Sequence, residues 1–201
     1  MVQMDINKVT GYILAGGKSS RMGTDKGLMN LGGKTLVQYV IDALKPVADK
    51  VVIVSNNAEY EKFGFEVIED EIKGIGPAGG IYTALNHSTS EKNFIISCDM
   101  PFVTSDSINF VVVNAHDSEI TLPIHNQNLE PLFGVYSKVC LQRWKTLIES
   151  GNIKLHDLVE HFRLNKLKVD YKKLFDDKIF MNVNDKHDFM NVIEYNNRKV
   201  H

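Results

Sequence analysis

A short apolar run that stops at two glycines constrains this chain more than any other feature. Residues 9–14 are apolar enough to form a buried strand, and Gly16 and Gly17 end it. Glycine has no Cβ, so backbone N–H groups in such a loop can approach a polyphosphate closely. The loop carries three cations that can neutralise phosphate charge: Lys18, Arg21 and Lys26. The stretch therefore predicts a nucleoside triphosphate site after the first strand.

Strands and helices alternate through the first half of the chain. The apolar patterns predict strands at 9–14, 50–55, 65–68 and 94–97, and helices at 35–48, 58–63, 81–87 and 104–114. This alternation predicts an α/β fold, a mostly parallel sheet with helices on both faces. The unusual residues follow strand ends, where open α/β sheets bind ligands. They are Gly16, Gly17, Asn56, Asp70 and Asp99.

The second half of the chain has a different pattern. A strand at 119–124, a turn at 126–128 and a returning strand at 131–136 predict a hairpin. Helices are predicted at 139–149, at 155–162 and from Asp185 to Tyr195. We expect a single domain over 1–201, with a nucleotide-binding half at about 8–115. The half at about 116–195 is then a small antiparallel extension that closes over the strand edge.

Bulk composition limits the class of protein. The length of 201 residues suits one domain, and a net charge of −2 provides no overall basic field for nucleic acid or a membrane surface. Two cysteines are too few for a disulfide framework, which favours a reducing compartment. No apolar run approaches the length that spans a bilayer, and the N-terminus does not resemble a signal peptide. We therefore expect a soluble, cytoplasmic protein.

The first glycine loop invites a P-loop interpretation through Gly17-Lys18-Ser19. That motif requires another glycine five residues before Gly17, and Tyr12 stands there. Gly11 is one place away from the required position. The spacing therefore excludes a Walker A loop.

A second glycine loop forms a rival motif. Residues 74–79 match the dinucleotide fingerprint G-x-G-x-x-G, and Asp99 follows at the required distance. However, the polar stretch 69–73 separates this loop from any strand, and Pro77 lacks an N–H group for a pyrophosphate. A nicotinamide or flavin site is the weaker hypothesis because it leaves the first loop unexplained.

Asp99 is the main candidate for a metal ligand. It ends a predicted strand within Cys98-Asp-Met-Pro101, and Cys98 itself is predicted to be a core residue. One carboxylate together with phosphate oxygens is a typical arrangement for Mg²⁺. The alternative is that Asp99 caps the helix that starts near Thr104. With Mg²⁺ the chemistry would be nucleotidyl transfer, in which Arg21 and Lys26 neutralise the leaving pyrophosphate.

Four motifs together resemble a known family. They are residues 14–26, Gly76-Pro-Ala-Gly-Gly-Ile81, Cys98-Asp-Met-Pro101 and Phe180-Met-Asn-Val-Asn-Asp185. In order and spacing they resemble the molybdenum cofactor guanylyltransferases, which have a three-layer, Rossmann-like sheet of the nucleotide-diphospho-sugar transferase type. The resemblance implies Mg²⁺-dependent transfer of GMP from GTP to molybdenum-molybdopterin. The products would be the molybdopterin guanine dinucleotide cofactor and pyrophosphate. Other cofactor-biosynthesis proteins or recipient molybdoenzymes are the implied protein partners.

The resemblance also implies a role for individual residues. For the nucleotide these are Leu14, Ala15, Gly16 and Gly17 in the first loop, Lys26 on the phosphates, Asn56 and Asp70 on the nucleoside, and Gly79 in the guanine loop. Asp99 would bind Mg²⁺ and the nucleotide, and Arg21, Lys26 and Asp99 would be the catalytic residues. Asn182 and Asn184 would lie near the pterin, and Asn184 is a further candidate for the metal site.

Two departures from the family pattern bear on specificity. The second loop reads Pro-Ala-Gly-Gly where Pro-Leu-Ala-Gly is usual, and Glu130 stands where glutamine is common. The first affects contacts to the base, and the second affects any contact of Glu130 with the pterin. Three alternatives remain open: a cytidylyltransferase on the same cofactor, a sugar-phosphate nucleotidyltransferase and a non-catalytic nucleotide-binding subunit.

Overall fold

The computed structural model describes residues 8–16, 25–170, 172–176, 178–183 and 188. The strands within them are β1 (Val9–Leu14), β2 (Asn30–Leu31), β3 (Lys34–Thr35), β4 (Lys50–Val54), β5 (Glu66–Ile68), β6 (Lys92–Ser97), β7 (Ile120–His125), β8 (Asn128–Leu129), β9 (Phe133–Ser137) and β10 (Leu164–Lys168). The α-helices are α1 (Leu36–Leu44), α2 (Pro77–His87), α3 (Ser105–Val113), α4 (Leu141–Glu149) and α5 (Leu155–Val159). Three 3₁₀ turns lie at Lys26–Leu28, Ala58–Phe63 and Lys138–Cys140.

One main sheet organises these elements. Its strand order is β10-β7-β9-β6-β1-β4-β5, and the short β8 pairs with β7. β1 lies between β4 and β6 and runs parallel to both. The chain moves outward from β1 to β4 and β5 on one side, and then crosses back to β6 on the other. This reversal creates a crevice beyond the carboxyl ends of β1 and β6, the position where doubly wound sheets bind ligands.

Helices cover both faces of the sheet. Alternate residues of β1 point to opposite faces, so Ile13 packs with α1 and α3, whereas Tyr12 packs with α2, α4 and α5. The strands therefore have two apolar faces, which is why their sequences are nearly continuous apolar runs. The predicted α/β class, a three-layer mostly parallel sheet, is confirmed.

The second half of the chain adds strands to the main sheet itself. β9 is antiparallel to both β6 and β7 and lies between them, and β10 pairs with β7 in parallel. All five residues of β9 are buried. The pairing of β9 with β7 confirms the antiparallel hairpin, and this hairpin continues the central sheet. Central strands need cover on both faces, and β9 has the continuous apolar character that this position requires.

The start of α2 and the capping of α1 differ from the sequence predictions. α2 begins at Pro77 instead of Ile81, because proline suits the first helical position, where no N–H group is needed. Gly79 and Gly80 therefore belong to a helix instead of a loop. Thr35 lies at the N-cap position of α1 as predicted, but its side chain makes no capping hydrogen bond. The last predicted helix, from Asp185, lies outside the described residues apart from Asp188, which is helical.

None of the helices in the described part of the chain combines the length and the hydrophobicity that crossing a bilayer requires.

Trp144 joins the two halves of the chain. This residue of α4 is fully buried, and its indole Nε1 donates to the carbonyl of Ala78, in the first turn of α2, at 3.0 Å. Its ring also packs edge-on against Tyr136 of β9. The second half thereby holds the start of α2, which follows the glycine loop at the ligand edge.

We expect Trp144→Phe to lower the free energy of unfolding by about 2–4 kcal/mol, through the lost volume and the lost hydrogen bond to the Ala78 carbonyl. Urea denaturation followed by circular dichroism measures it, because the variant lacks the chain's one tryptophan. Val113→Ala, at a side chain 51% exposed, is the control and should change stability by less than about 0.5 kcal/mol. Equal effects of the two substitutions would contradict the bridging role of Trp144.

Candidate active site

Two charged side chains meet in the crevice between β1 and β6. The Nζ of Lys26 lies 3.8 Å from Oδ2 of Asp99. The two residues belong to loops that follow adjacent parallel strands, and the N–H of Cys98 donates to the carbonyl of Leu14 at 3.1 Å where those loops begin. The strand pairing thus continues to the residue before Asp99. The structure brings together the predicted phosphate ligand and the predicted metal ligand.

Asp99 is held from two directions. Its Oδ1 accepts a hydrogen bond of 2.6 Å from the hydroxyl of Ser97, and its carbonyl accepts from the N–H of Val183 at 3.1 Å. Only 9% of the residue is exposed. It does not cap α3, because Thr104 does so in a capping box with Ser107. The capping alternative for Asp99 is therefore wrong, and its carboxylate is available for chemistry in the crevice.

Asn182 belongs to a segment that is hydrogen-bonded to Asp99. Its neighbour Val183 donates to the Asp99 carbonyl, and the Asn182 Oδ1 is buried with no hydrogen-bond partner among the described residues. An unsatisfied buried oxygen costs free energy unless a ligand meets it. A carboxylate and an amide oxygen are the kind of hard donors that Mg²⁺ accepts, together with water and phosphate oxygens. The residues at this position therefore fit that ion.

The predicted nucleoside residues lie together at the neighbouring strand ends. Asn56 follows β4, and its Oδ1 accepts from the N–H of Asp70, which follows β5, at 3.2 Å. The Asp70 Oδ1 accepts from the N–H of Ile72 and from the hydroxyl of Thr83 on α2. Gly79 packs below them, since a Cβ there would overlap the carbonyl of Ile72. Asn56, Asp70 and Gly79 therefore share one corner of the ligand edge.

The first loop is only partly described. Leu14 and Ala15 are buried at the end of β1, where the Ala15 N–H donates to Val54, and Gly16 is exposed. Four predicted residues lie outside the described residues: Gly17, Lys18, Arg21 and Asn184.

Several residues that touch this site were not assigned from the sequence. The carboxylate of Asp25 accepts from the hydroxyl of Tyr60 at 2.5 Å, from Nδ2 of Asn57 at 3.0 Å and from the N–H of Gly27 at 3.2 Å. The position of Asp25 immediately before Lys26 was the available signal. Tyr60 gives no such signal, because its contact with Asp25 spans 35 residues of sequence.

Two groups beside this cluster are fixed in their neutral forms. Burial raises the pKa of the Cys98 thiol well above its ordinary value, and Asp99 and Asp25 add to that effect. Cys98 is therefore a core residue, as predicted, because a nucleophile would need the thiolate. Burial likewise raises the pKa of Tyr60, so its hydroxyl remains a donor to Asp25 at any working pH.

The rival glycine fingerprint lacks its structural context. β5 ends at Ile68, and a loop with positive φ at Gly74 and Gly76 separates it from α2. A dinucleotide fingerprint requires the glycines to lead directly from a strand into a helix. The nicotinamide or flavin hypothesis therefore fails on geometry.

Comparison with known proteins assigns the fold to a family. Residues 11–166 match the model of the MobA-like NTP transferase domain. The chain belongs to this family. A "probable molybdenum cofactor guanylyltransferase" of Natranaerobius thermophilus is 33% identical over 198 residues, which cover 94% of this chain and 97% of the relative. A protein of the same name from Flavobacterium johnsoniae is 37% identical over 153 residues, 75% of this chain and 80% of the relative.

A solved structure agrees with this assignment. Molybdopterin-guanine dinucleotide biosynthesis protein A from Archaeoglobus fulgidus superimposes with a TM-score of 0.80 at 25% identity, over 94% of this chain and 99% of that one. The predictions of family and of nucleotidyltransferase activity are confirmed. Within this MobA-like family the departure at Glu130 can now be placed in the structure.

Glu130 lies on the other side of β6 from the nucleoside corner. It precedes β9, where the N–H of Ser97 donates to the carbonyl of Leu132, so it is close to the carboxyl end of β6. No described residue donates a hydrogen bond to its carboxylate, and burial raises its pKa from 4.5 to about 7. His156 of α5 contacts the preceding carbonyl, that of Leu129, at 3.2 Å. A carboxyl with no hydrogen-bond donor in the described part of the chain thus lies on the side away from the nucleoside corner.

We expect Glu130→Gln to stabilise the protein increasingly as the pH rises. Below pH 4.5 the Glu130 carboxyl is protonated in both the folded and the unfolded protein. Between pH 4.5 and about 7 it ionises in the unfolded protein but stays protonated in the folded one, so the wild type loses stability as the pH rises through this range. The variant should therefore gain roughly 3 kcal/mol over the wild type between about pH 4.5 and 8. Urea denaturation across this range measures the difference.

The control is Glu149→Gln, at a side chain 61% exposed, which should show no comparable trend with pH. A constant difference between Glu130→Gln and the wild type would mean that Glu130 ionises normally in the folded protein.

Proposed function

We propose that this chain transfers GMP from GTP to molybdenum-molybdopterin and releases pyrophosphate, in a reaction that depends on Mg²⁺. The observation that carries the proposal is the pair Lys26 and Asp99, 3.8 Å apart in the crevice between β1 and β6. A cation for phosphate and a carboxylate for a metal ion are the minimum that nucleotidyl transfer requires. The names of the relatives support the choice of GTP and molybdopterin.

Asp99 would hold the Mg²⁺ ion, and Asn182, whose neighbour Val183 is hydrogen-bonded to the Asp99 backbone, has a buried side-chain oxygen that could contribute. Asn184 is a further candidate from the sequence. When bound, Mg²⁺ supplies charge neutralisation at the phosphates. Ser97 fixes the orientation of the Asp99 carboxylate through its 2.6 Å hydrogen bond, so one oxygen is committed and the other faces the crevice.

The reaction needs positioning more than covalent participation. An oxygen of the second substrate attacks the α-phosphorus of GTP, a P–O bond forms, and the bond to the bridging oxygen breaks as pyrophosphate leaves. Lys26 neutralises the charge that builds on the leaving group, and Arg21 is proposed for the same task from the sequence. Lys26 therefore acts chiefly on the transition state and raises kcat.

The sheet separates the two substrates. Asn56, Asp70 and Gly79 lie at the β4 and β5 ends and would bind the nucleoside, while Leu14, Ala15, Gly16 and Gly17 would hold its phosphates. The pterin would then occupy the opposite side, where β7 ends and β9 begins. We propose that residues 8–115 form the nucleotide-binding half and residues 116–195 the pterin half of a single domain.

Asp99→Asn is the test of the active site. It keeps the shape of the side chain and removes the charge, so turnover with GTP, molybdopterin and Mg²⁺ should fall by at least about a hundredfold. A coupled assay for pyrophosphate measures it. Asp117→Asn, at an exposed residue before β7 and at the opposite edge of the sheet from the crevice, is the matched control and should retain wild-type turnover.

Nucleotide preference is tested with the wild type in the same assay. Pyrophosphate release with CTP and none with GTP would contradict the proposed substrate. Binding of nucleotide without turnover of any NTP would indicate the non-catalytic alternative.

A further inference from the structure

The cluster around Asp25 links three elements to one catalytic side chain. Asp25 is the N-cap of the 3₁₀ turn Lys26–Leu28, so its carboxylate fixes where that turn begins. Tyr60 comes from the 3₁₀ turn at Ala58–Phe63, and Asn57 comes from the loop after β4. The residue whose backbone these contacts immobilise most directly is the next one in the chain, Lys26.

Packing below the turn also aligns Lys26 with Asp99. A Cβ on Gly27 would overlap the hydroxyl of Tyr60 and come within 3.1 Å of the Cys98 sulfur. Gly27 therefore rests directly on Tyr60 and Cys98. Since Gly27 follows Lys26 and Cys98 precedes Asp99, this contact places the two charged residues side by side.

Asn57 satisfies both of its amide groups within the cluster. Its Oδ1 accepts from the N–H of Glu59 at 3.0 Å and caps the turn that carries Tyr60, while its Nδ2 donates to Asp25. The same side chain thus orders both the donor Tyr60 and the acceptor Asp25. Tyr60 is completely buried, so its hydrogen bond to the carboxylate is shielded from water.

We infer that Tyr60 and Asn57 are positioning residues that act through Asp25 to hold Lys26 beside Asp99. They touch neither substrate nor metal. The tyrosine and the asparagine donate to the two oxygens of Asp25, Asp25 sets the start of the 3₁₀ turn, and the turn directs the lysine into the crevice. The kinetic part of this inference rests on the proposed function.

Tyr60→Phe tests the inference because it removes one hydroxyl and keeps the ring. A hydrogen bond to a charged group is lost, and kcat should fall by about tenfold while KM for GTP changes by less than about twofold. Tyr12→Phe is the matched control: Tyr12 is equally buried, and its hydroxyl lies 2.9 Å from His87 Nδ1 at the far end of α2. Tyr60→Phe and Tyr12→Phe should each lower Tm by a few degrees, but Tyr12→Phe should leave kcat unchanged.

A double-mutant cycle identifies Lys26 as the residue through which Tyr60 acts. In a Lys26→Met background, Tyr60→Phe should cause no further loss of kcat, because the side chain that it positions is absent. A full additional tenfold loss would overturn the inference. So would an unchanged kcat in Tyr60→Phe, or a loss that appears only in KM.

Asn57→Asp provides a second variant if Tyr60→Phe folds poorly. It keeps the oxygen that caps Glu59 and turns the donor facing Asp25 into a second carboxylate oxygen, so repulsion should displace Asp25. The expected kinetic change is the same as for Tyr60→Phe. Wild-type kinetics in this partly exposed variant would overturn the role of Asn57.

A crystal structure of each variant separates this inference from the proposed function. The distance from Lys26 Nζ to Asp99 Oδ2 should increase from 3.8 Å to more than about 4 Å, beyond ion-pair range, whichever nucleotide the enzyme uses. An unchanged distance would overturn the inference. Wild-type protein that turns over no NTP would instead contradict the proposed function, and the crystal structures would still decide the positioning role.

Discussion

The parallel pairing of β1 with β6 is the interaction on which the site depends. Its register sets Leu14 opposite Ser97, and one further hydrogen bond, from Cys98 to Leu14, carries the pairing to the residue before Asp99. Because β1 is also the strand where the chain reverses direction across the sheet, the loops after β1 and β6 diverge from a common point. Lys26 and Asp99, 73 residues apart in number, become neighbours for that reason.

The sequence predicts this arrangement well because its signals are local. An apolar run, a polar stop and a helical stretch identify each strand and the edge at which it ends, so the sequence alone places Asn56, Asp70 and Asp99 at one edge of the sheet. The glycines and cations after β1 indicate phosphate, and the aspartate after β6 indicates a metal ion. The resemblance to the family adds what these local signals do not give, namely GTP and molybdopterin as the expected substrates.

Other features depend on tertiary contacts that leave no local pattern. The hairpin of β7 and β9 is visible as two apolar runs, but nothing in those runs shows that β9 pairs with β6 in the middle of the sheet. The start of α2 was placed too late, because Gly79 and Gly80 suggest a loop until the packing of α2 against Trp144 is known. Tyr60 reads as an ordinary core aromatic, and only the fold shows that its hydroxyl meets Asp25.

The loose pairing of Lys26 with Asp99 is itself informative. A separation of 3.8 Å is longer than a direct hydrogen bond, although it is close enough for each charge to favour the other in a partly buried crevice. A triphosphate requires a cation there and its metal ion requires a carboxylate, so each of these ligands can replace the partner that the side chain already has. Adjacent opposite charges therefore stabilise each other before any ligand binds, and each can exchange its partner for a ligand.

That exchange requires Lys26 to be held by its backbone, because its side chain must be able to move from Asp99 to phosphate. An anchor at Asp25 meets this requirement, since it fixes where the lysine begins and leaves its end able to change partners.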